Sequence, residues 1–292
     1  MVRAMRRQVV VCVDDFGLHE GVNQAVLDLL RLQRISAVSC LVDGASWATD
    51  AAALKNGAHR PGARQADVGL HLNLTECLDP IAQADWPSRP LSGLIAAAYL
   101  RRLDPQALQT EVARQWDRFV AVWGAPPDFV DGHQHVHQLP QVRDALMAVL
   151  DRRLSHQAPR PWLRCCRSPG WRAWGPGVSW ADAFKAQVIG ALGATELARL
   201  AQARGLRTSA HLLGVYPFDA DEPAYLKRWQ GWLHAAQSQG DLIMCHPAKP
   251  GQALTAAQDG IAASRAMEYR VLTGAPWAEL LAQSCTSVAT AA

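Results

Sequence analysis

The sequence predicts an α/β fold: a single domain built as a distorted (β/α) barrel of about seven parallel strands. Three observations carry this. Short apolar runs alternate with longer amphipathic stretches about seven times along the 292 residues. That alternation is the signature of parallel strands covered by helices. The runs are rich in β-branched residues, as strands buried on both faces are. No internal repeat, low-complexity tract or composition break marks a second domain, so 1–292 reads as one unit. Loop insertions are expected near 76–100 and 167–180.

The elements follow in order. Gln8 to Val13 is a continuous apolar strand, ended by Asp14-Asp15-Phe16-Gly17. Gly21 to Arg34 places Val22, Val26, Leu29 and Leu30 on one face, which predicts a helix. Ala37 to Val42 is a second strand and Ala45 to Asn56 a second helix. Val68 to Leu74 is a third strand, turning polar toward its end. Glu76 to Leu91 is rich in Pro, Asp and Ser and reads as a long loop. Asp104 caps a helix with Pro105 at its first position, running to about Trp123. Pro127 to Val130 leads a strand into Asp131-Gly132-His133-Gln134-His135-Val136-His137, and a helix follows over 141–153. Trp162 to Cys166 is a fifth strand. Ser168 to Pro176, dense in Pro, Gly and Trp, suggests a lid or substrate wall. Ala181 to Arg204 reads as helix, Thr208 to Val215 as a short strand or loop, and Glu222 to Gln239 as helix. Leu242 to Cys245 is the last clear strand, ending at His246-Pro247, and the tail from Gly260 is helical.

Composition narrows the class. Hydrophobic residues make up 49% and charged residues 19%, enough for a sizeable core. The net charge of +3 and the lack of a basic run exclude a nucleic-acid groove. The seven cysteines are odd in number, scattered and without a CxxC pair, which argues for reduced thiols and a cytoplasmic location. The five-residue apolar run after the N-terminal arginines is too short for a secretion signal or a membrane span.

A parallel barrel gathers the C-terminal ends of its strands on one face. Asp14 and Asp15, His71, His133 and His246 all fall at such ends and therefore converge. Two carboxylates with several histidines form a mixed oxygen and nitrogen donor set, as in hydrolytic metal sites. Each piece alone has a plainer reading. Asp-Asp after a strand often caps a helix, a histidine amid leucines is more often a core residue, and a histidine cluster can be a surface feature. Their joint occurrence at successive strand ends favours the site.

Taken together, Val13-Asp14-Asp15-Phe16-Gly17, Gly69-Leu70-His71-Leu72, Asp131 to His137 and Met244-Cys245-His246-Pro247 resemble the YdjC-like carbohydrate deacetylases. That group includes the chitooligosaccharide and hopanoid-biosynthesis deacetylases. The match runs in order from about residue 8 to 275. It implies a distorted barrel and one divalent metal on Asp15, His71 and His133, with Mg²⁺ favoured and Zn²⁺ the other option. It implies Asp14 as catalytic base, His246 as catalytic acid, and removal of N-acetyl groups from an amino-sugar substrate. Arg164 occupies a position that suits a supporting role. His135 and His137 are candidates for substrate or supporting contacts, with structural roles equally open. Trp171, Trp174 and Trp180 match no motif and are candidate sugar platforms.

The resemblance implies a small carbohydrate or glycolipid as substrate, without nucleic acid or membrane insertion; oligomeric state stays open, a homodimer included. Two alternatives remain. Another barrel metallohydrolase, such as a phosphoesterase, needs cations for phosphate, and only Arg164 and Arg167 sit near a strand end. An inactive carbohydrate-binding relative is disfavoured by the intact acids and histidines.

Overall fold

The structure, a computed structural model, describes residues 7–154, 159–173, 175–251, 259–284 and 286–290. Seven parallel strands lie in the order β5-β4-β3-β2-β1-β7-β6: β1 (Arg7–Phe16), β2 (Ala37–Cys40), β3 (Asp67–Leu72), β4 (Phe129–Gly132), β5 (Trp162–Leu163), β6 (Leu212–Leu213) and β7 (Leu242–Cys245). The sheet curls until its two edges meet. Leu163 of β5 bridges Thr208, and the amide of Leu212 donates to the Arg167 carbonyl at 2.9 Å. The predicted distorted barrel is therefore the architecture, with a seam between β5 and β6. One strand escaped the sequence reading: β8 (Thr286–Val288) pairs with the start of β1, register Arg7 with Thr286.

The helices are α1 (Glu20–Arg31), α2 (Trp47–Ala58), α3 (Leu91–Tyr99), α4 (Pro105–Trp123), α5 (Val142–Arg153), α6 (Trp180–Ala191), α7 (Ala194–Ala203), α8 (Glu222–Ala235), α9 (Ala262–Thr273) and α10 (Ala275–Gln283). The Asp104 side chain caps α4 as expected, accepting from Gln106 N at 2.8 Å and Ala107 N at 3.2 Å. The stretch read as one helix over 181–204 breaks into α6 and α7. Gly193, at φ 142°, sits against Gln138, and a Cβ there would fall 2.1 Å from that carbonyl oxygen. Residues 91–99, read as part of the loop insertion, form α3.

Strand alternation divides the interior. Val9, Val11, Val13, Val38, Leu70 and Val130 join the larger core, with the covering helices. Val10, Cys12, Ala37, Phe129, Leu242 and Met244 belong to a second core on the other face of the sheet. Side chains alternate with period two along a strand. Continued to the strand ends, the second set leads to Asp14, Ser39, His71, Asp131 and His246. The sheet thus aims polar groups from four neighbouring strands and the end of β7 at one place. No helix among the described residues is long and apolar enough to cross a membrane.

Candidate active site

Asp14 and Asp15 are adjacent, so a regular strand would send them to opposite faces. The sequence required a bend after Val13, and the structure supplies it inside β1. The β1–β2 register slips between Val13 and Phe16, and Asp15 takes a left-handed φ of 70°. Such a bulge re-aims one side chain, and aspartate tolerates the conformation better than most residues. Both carboxylates now point into one cavity of about 590 Å³.

Asp14 is held by Arg164, which is fully buried. The guanidinium donates to both carboxylate oxygens, each at 2.6 Å, and lies 2.6 Å from Asp131 Oδ2. Burial by itself pushes the Asp14 carboxyl up. The Arg164 charge and hydrogen bonds outweigh it and hold the group well below the usual carboxylate range. Arg164 lies beyond the cavity wall, so it supports Asp14 and offers phosphate nothing.

Asp15 is treated differently. Its Oδ2 accepts from Arg265 at 2.8 Å, while Oδ1 lies 3.0 Å from His133 Nδ1 and 3.4 Å from His71 Nε2. Asp131, paired in register with His71, fixes that imidazole: His71 Nδ1 lies 2.7 Å from Asp131 Oδ1, and Ser39 bonds both. This leaves His71 Nε2 facing Asp15 and His133. Ligand atoms of Asp15, His71 and His133 all lie within 4.8 Å of one another. Two imidazoles and a carboxylate, with one imidazole backed by a second carboxylate, fit a divalent cation. Without the cation, burial disfavours charged imidazoles. Asp131 and Asp15 nevertheless raise His71 to about 10, and Asp15 and Glu76 raise His133 to about 9. Glu76, from the loop after β3, brings Oε1 to 3.1 Å from His133 Nε2.

His246 closes the cavity at the end of β7, its Nε2 3.8 Å from Asp14 Oδ2. Burial lowers its pKa to about 4 against the pull of Asp14 and Asp15, so the ring is neutral at pH 7. Phe218 packs edge-on against it at 5.3 Å.

The remaining predicted residues divide. His135 lines the cavity, in a left-handed turn at φ 62°. His137 does not. It is fully buried, its Nε2 2.8 Å from the Arg164 carbonyl oxygen, and burial takes its pKa to about 4. Gly132 permits that fold-back, since a Cβ there would meet His137 N at 2.9 Å. Trp171 is 82% exposed and is not among the residues lining the cavity. Trp174 lies outside the described residues.

Several residues of the site carried no assigned role in the sequence reading. Asp131 stood inside the quoted motif, and period two along β4 would have put it beside His71. Glu76 was read only as the start of a loop. Arg265, Asp259 and Glu268 lie in or before the helical tail, where a buried charge and a solvated one look alike. Ser39 shares the face of His71 and Asp131 by the same alternation along β2, but a lone serine there suggests no role.

A family model described as YdjC-like protein matches residues 8–283. A carbohydrate deacetylase of Danio rerio is 37% identical over 152 residues, 49% of this chain and 46% of that protein. A chitooligosaccharide deacetylase of Escherichia fergusonii is 32% identical over 143 residues, 47% of this chain and 53% of its own. The chain spans about half the length of these curated relatives. In fold, it superposes on a protein of Enterococcus faecalis V583, provisionally assigned to cellobiose-phosphate cleavage. The TM-score is 0.67 at 17% identity, covering 98% of each chain.

Proposed function

The chain belongs to the family of YdjC-like proteins, and on that premise we propose that it is a metal-dependent hydrolase removing N-acetyl groups from an N-acetylglucosamine-containing carbohydrate. One observation supports this above others. A three-residue donor set (Asp15, His71, His133) and a carboxylate–imidazole pair (Asp14, His246) share one cavity. The names of the deacetylase relatives point the same way.

Asp15, His71 and His133 would hold one divalent cation, Mg²⁺ first and Zn²⁺ second. Such a cation supplies Lewis-acid polarisation of an acyl carbonyl and of water. The chain's own groups manage the protons. Arg164 keeps Asp14 ionised, hence always able to accept a proton, while lowering its basicity. Asp14 takes a proton as water attacks the carbonyl carbon. His246, neutral beforehand and 3.8 Å away, receives that proton and passes it to the departing nitrogen. A C–O bond forms, the C–N bond breaks, and acetate and a free amine leave. Each positioned transfer contributes about 10²–10⁴-fold. The odd, scattered cysteines, free in all six described positions, suit the cytoplasm.

Acetate release from chitobiose, longer chitooligosaccharides and N-acetylglucosaminyl lipids, with and without added metal, tests the reading. Metal-stimulated acetate with equimolar amine supports it. Phosphate release from phosphorylated sugars would move the protein to the phosphoesterases, and tight sugar binding without turnover would make it a binding relative.

A further inference from the structure

The reaction above uses His246, yet its ring is not held by its own second nitrogen: Nδ1 is buried with no hydrogen-bond partner among the described residues. Something else must aim the imidazole. The peptide of His246 is gripped on both sides by α9. Its N–H donates to Glu268 Oε2 at 2.6 Å, and its carbonyl accepts from Arg265 at 3.4 Å. Two residues on, Ala248 N donates to the Arg265 carbonyl at 3.1 Å.

Glu268 and Arg265 stand one turn apart, 0% and 3% exposed. Glu268 also accepts from the Tyr216 hydroxyl at 2.6 Å; Tyr216 packs on Phe218 at 4.8 Å, and Phe218 backs the His246 ring. Arg265 donates to Asp259 at 2.6 Å and to Asp15 Oδ2 at 2.8 Å. Buried ionisable groups are a poor way to pack a helix, because apolar residues of like volume usually stabilise as well or better. Their retention against the site asks for another explanation.

We infer that α9 is the positioning element of this active site: Glu268 and Arg265 fix the His246 peptide from both sides, and Arg265 occupies one Asp15 oxygen so that only the other faces the metal position. Neither is a catalytic residue, and the division of labour is specific. Arg265 acts on metal affinity through Asp15. Glu268 acts on the His246 proton through its backbone and through the Tyr216–Phe218 wall. The inference rests on the deacetylase reading for the Glu268 half alone.

The test uses the full chain carrying Arg265→Gln, Arg265→Lys, Glu268→Gln or Tyr216→Phe. It measures Mg²⁺ and Zn²⁺ affinity by calorimetry, and turnover of an N-acetyl sugar against an aryl acetate whose leaving group needs no proton. Arg265→Gln should weaken metal binding about 10–100-fold, with turnover returning only in part at high metal, because the contact to the His246 carbonyl stays lost, and with Arg265→Lys recovering part. Glu268→Gln should leave metal affinity and KM unchanged and lower kcat on the N-acetyl substrate about 10–100-fold. Its deficit should shrink on the aryl acetate. Tyr216→Phe should show the same selectivity in smaller measure, and it decides the question if Glu268→Gln does not fold. Variants that keep metal affinity, kcat and leaving-group preference while losing only melting temperature would make α9 a packing helix and overturn the inference. Equal loss of metal affinity in Glu268→Gln and Arg265→Gln would overturn the division of labour. If the wild type releases no acetate while Arg265→Gln still loses metal, the functional reading fails and the Asp15 half stands.

Discussion

Asp14 and Asp15 end the same strand, and each faces its own buried arginine, but the two arginines leave them in different conditions. Arg164 engages both oxygens of Asp14, at 2.6 Å each. Arg265 takes one oxygen of Asp15 at 2.8 Å and leaves the other beside His133 and His71. Both carboxyls are held below their ordinary range against the upward push of burial, so ionisation does not separate them. Geometry does. A carboxylate with one oxygen free among two imidazoles suits a metal ligand. One clamped on both oxygens has neither free for a metal and lies 3.8 Å from an imidazole, the placement that the proposed proton relay uses.

That contrast breaks most sharply under substitution. Asp14→Asn should keep metal content near normal and lose activity by about 10²–10⁴-fold, unrecovered by added metal. An Asp14→Asn protein purified without metal would show the assignments reversed. Arg164→Met should leave Asp14 and Asp131 buried without their cation and cost about 3–5 kcal/mol in urea unfolding. A cost below 1 kcal/mol, the range of exposed ion pairs, would mean the pair is solvated in solution. Asp15→Ala, His71→Ala and His133→Ala should each weaken metal binding by at least ~10-fold, with activity returning in part at high metal. Equilibrium dialysis checks this, and a variant retaining wild-type affinity removes that residue from the ligand set.

A subtler contrast is in protons. In the metal-free protein His71 and His133 are raised to about 10 and about 9, so both carry a proton at pH 7. Metal binding must expel protons, and apparent affinity should climb with pH until about those values. Raised values also stabilise the metal-free fold fully below the ordinary 6.5, a contribution that fades as pH rises through about 9 and then about 10. Calorimetry in two buffers of different ionisation enthalpy counts the protons. No release at pH 7 would show the imidazoles already neutral. The smallest effect belongs to the Trp-rich loop. Trp171, 82% exposed and off the cavity lining, should leave KM unchanged on replacement by alanine. A marked rise in KM would make the loop a substrate wall after all.

Much of the site was legible in the chain itself, because a strand is a ruler with period two. Alternation along β1, β3, β4 and toward His246 sends Asp14, His71, Asp131 and His246 to one face, and parallel topology brings those strand ends together. The Asp104-Pro105 cap and the apolar runs declared their elements by local chemistry. The break at Gly193 was not legible, because it depends on a neighbour, Gln138, far away in sequence. Nor was β8, a three-residue strand whose partner among the described residues is the start of β1.

By itself, then, the sequence determined the alternating α/β architecture and the cluster of acids and histidines at the strand ends. Those follow from local periodicity and from the handed, parallel connections it enforces. Only the tertiary structure decided which group meets which. By period two Asp15 belongs to the wrong face; a bulge and a left-handed φ of 70° bring it back. Arg164 pairs with Asp14 across 150 positions and Arg265 with Asp15 across 250. Pairings at such separation are set by which buried charges the folded chain brings within hydrogen-bond reach, and no local pattern records that.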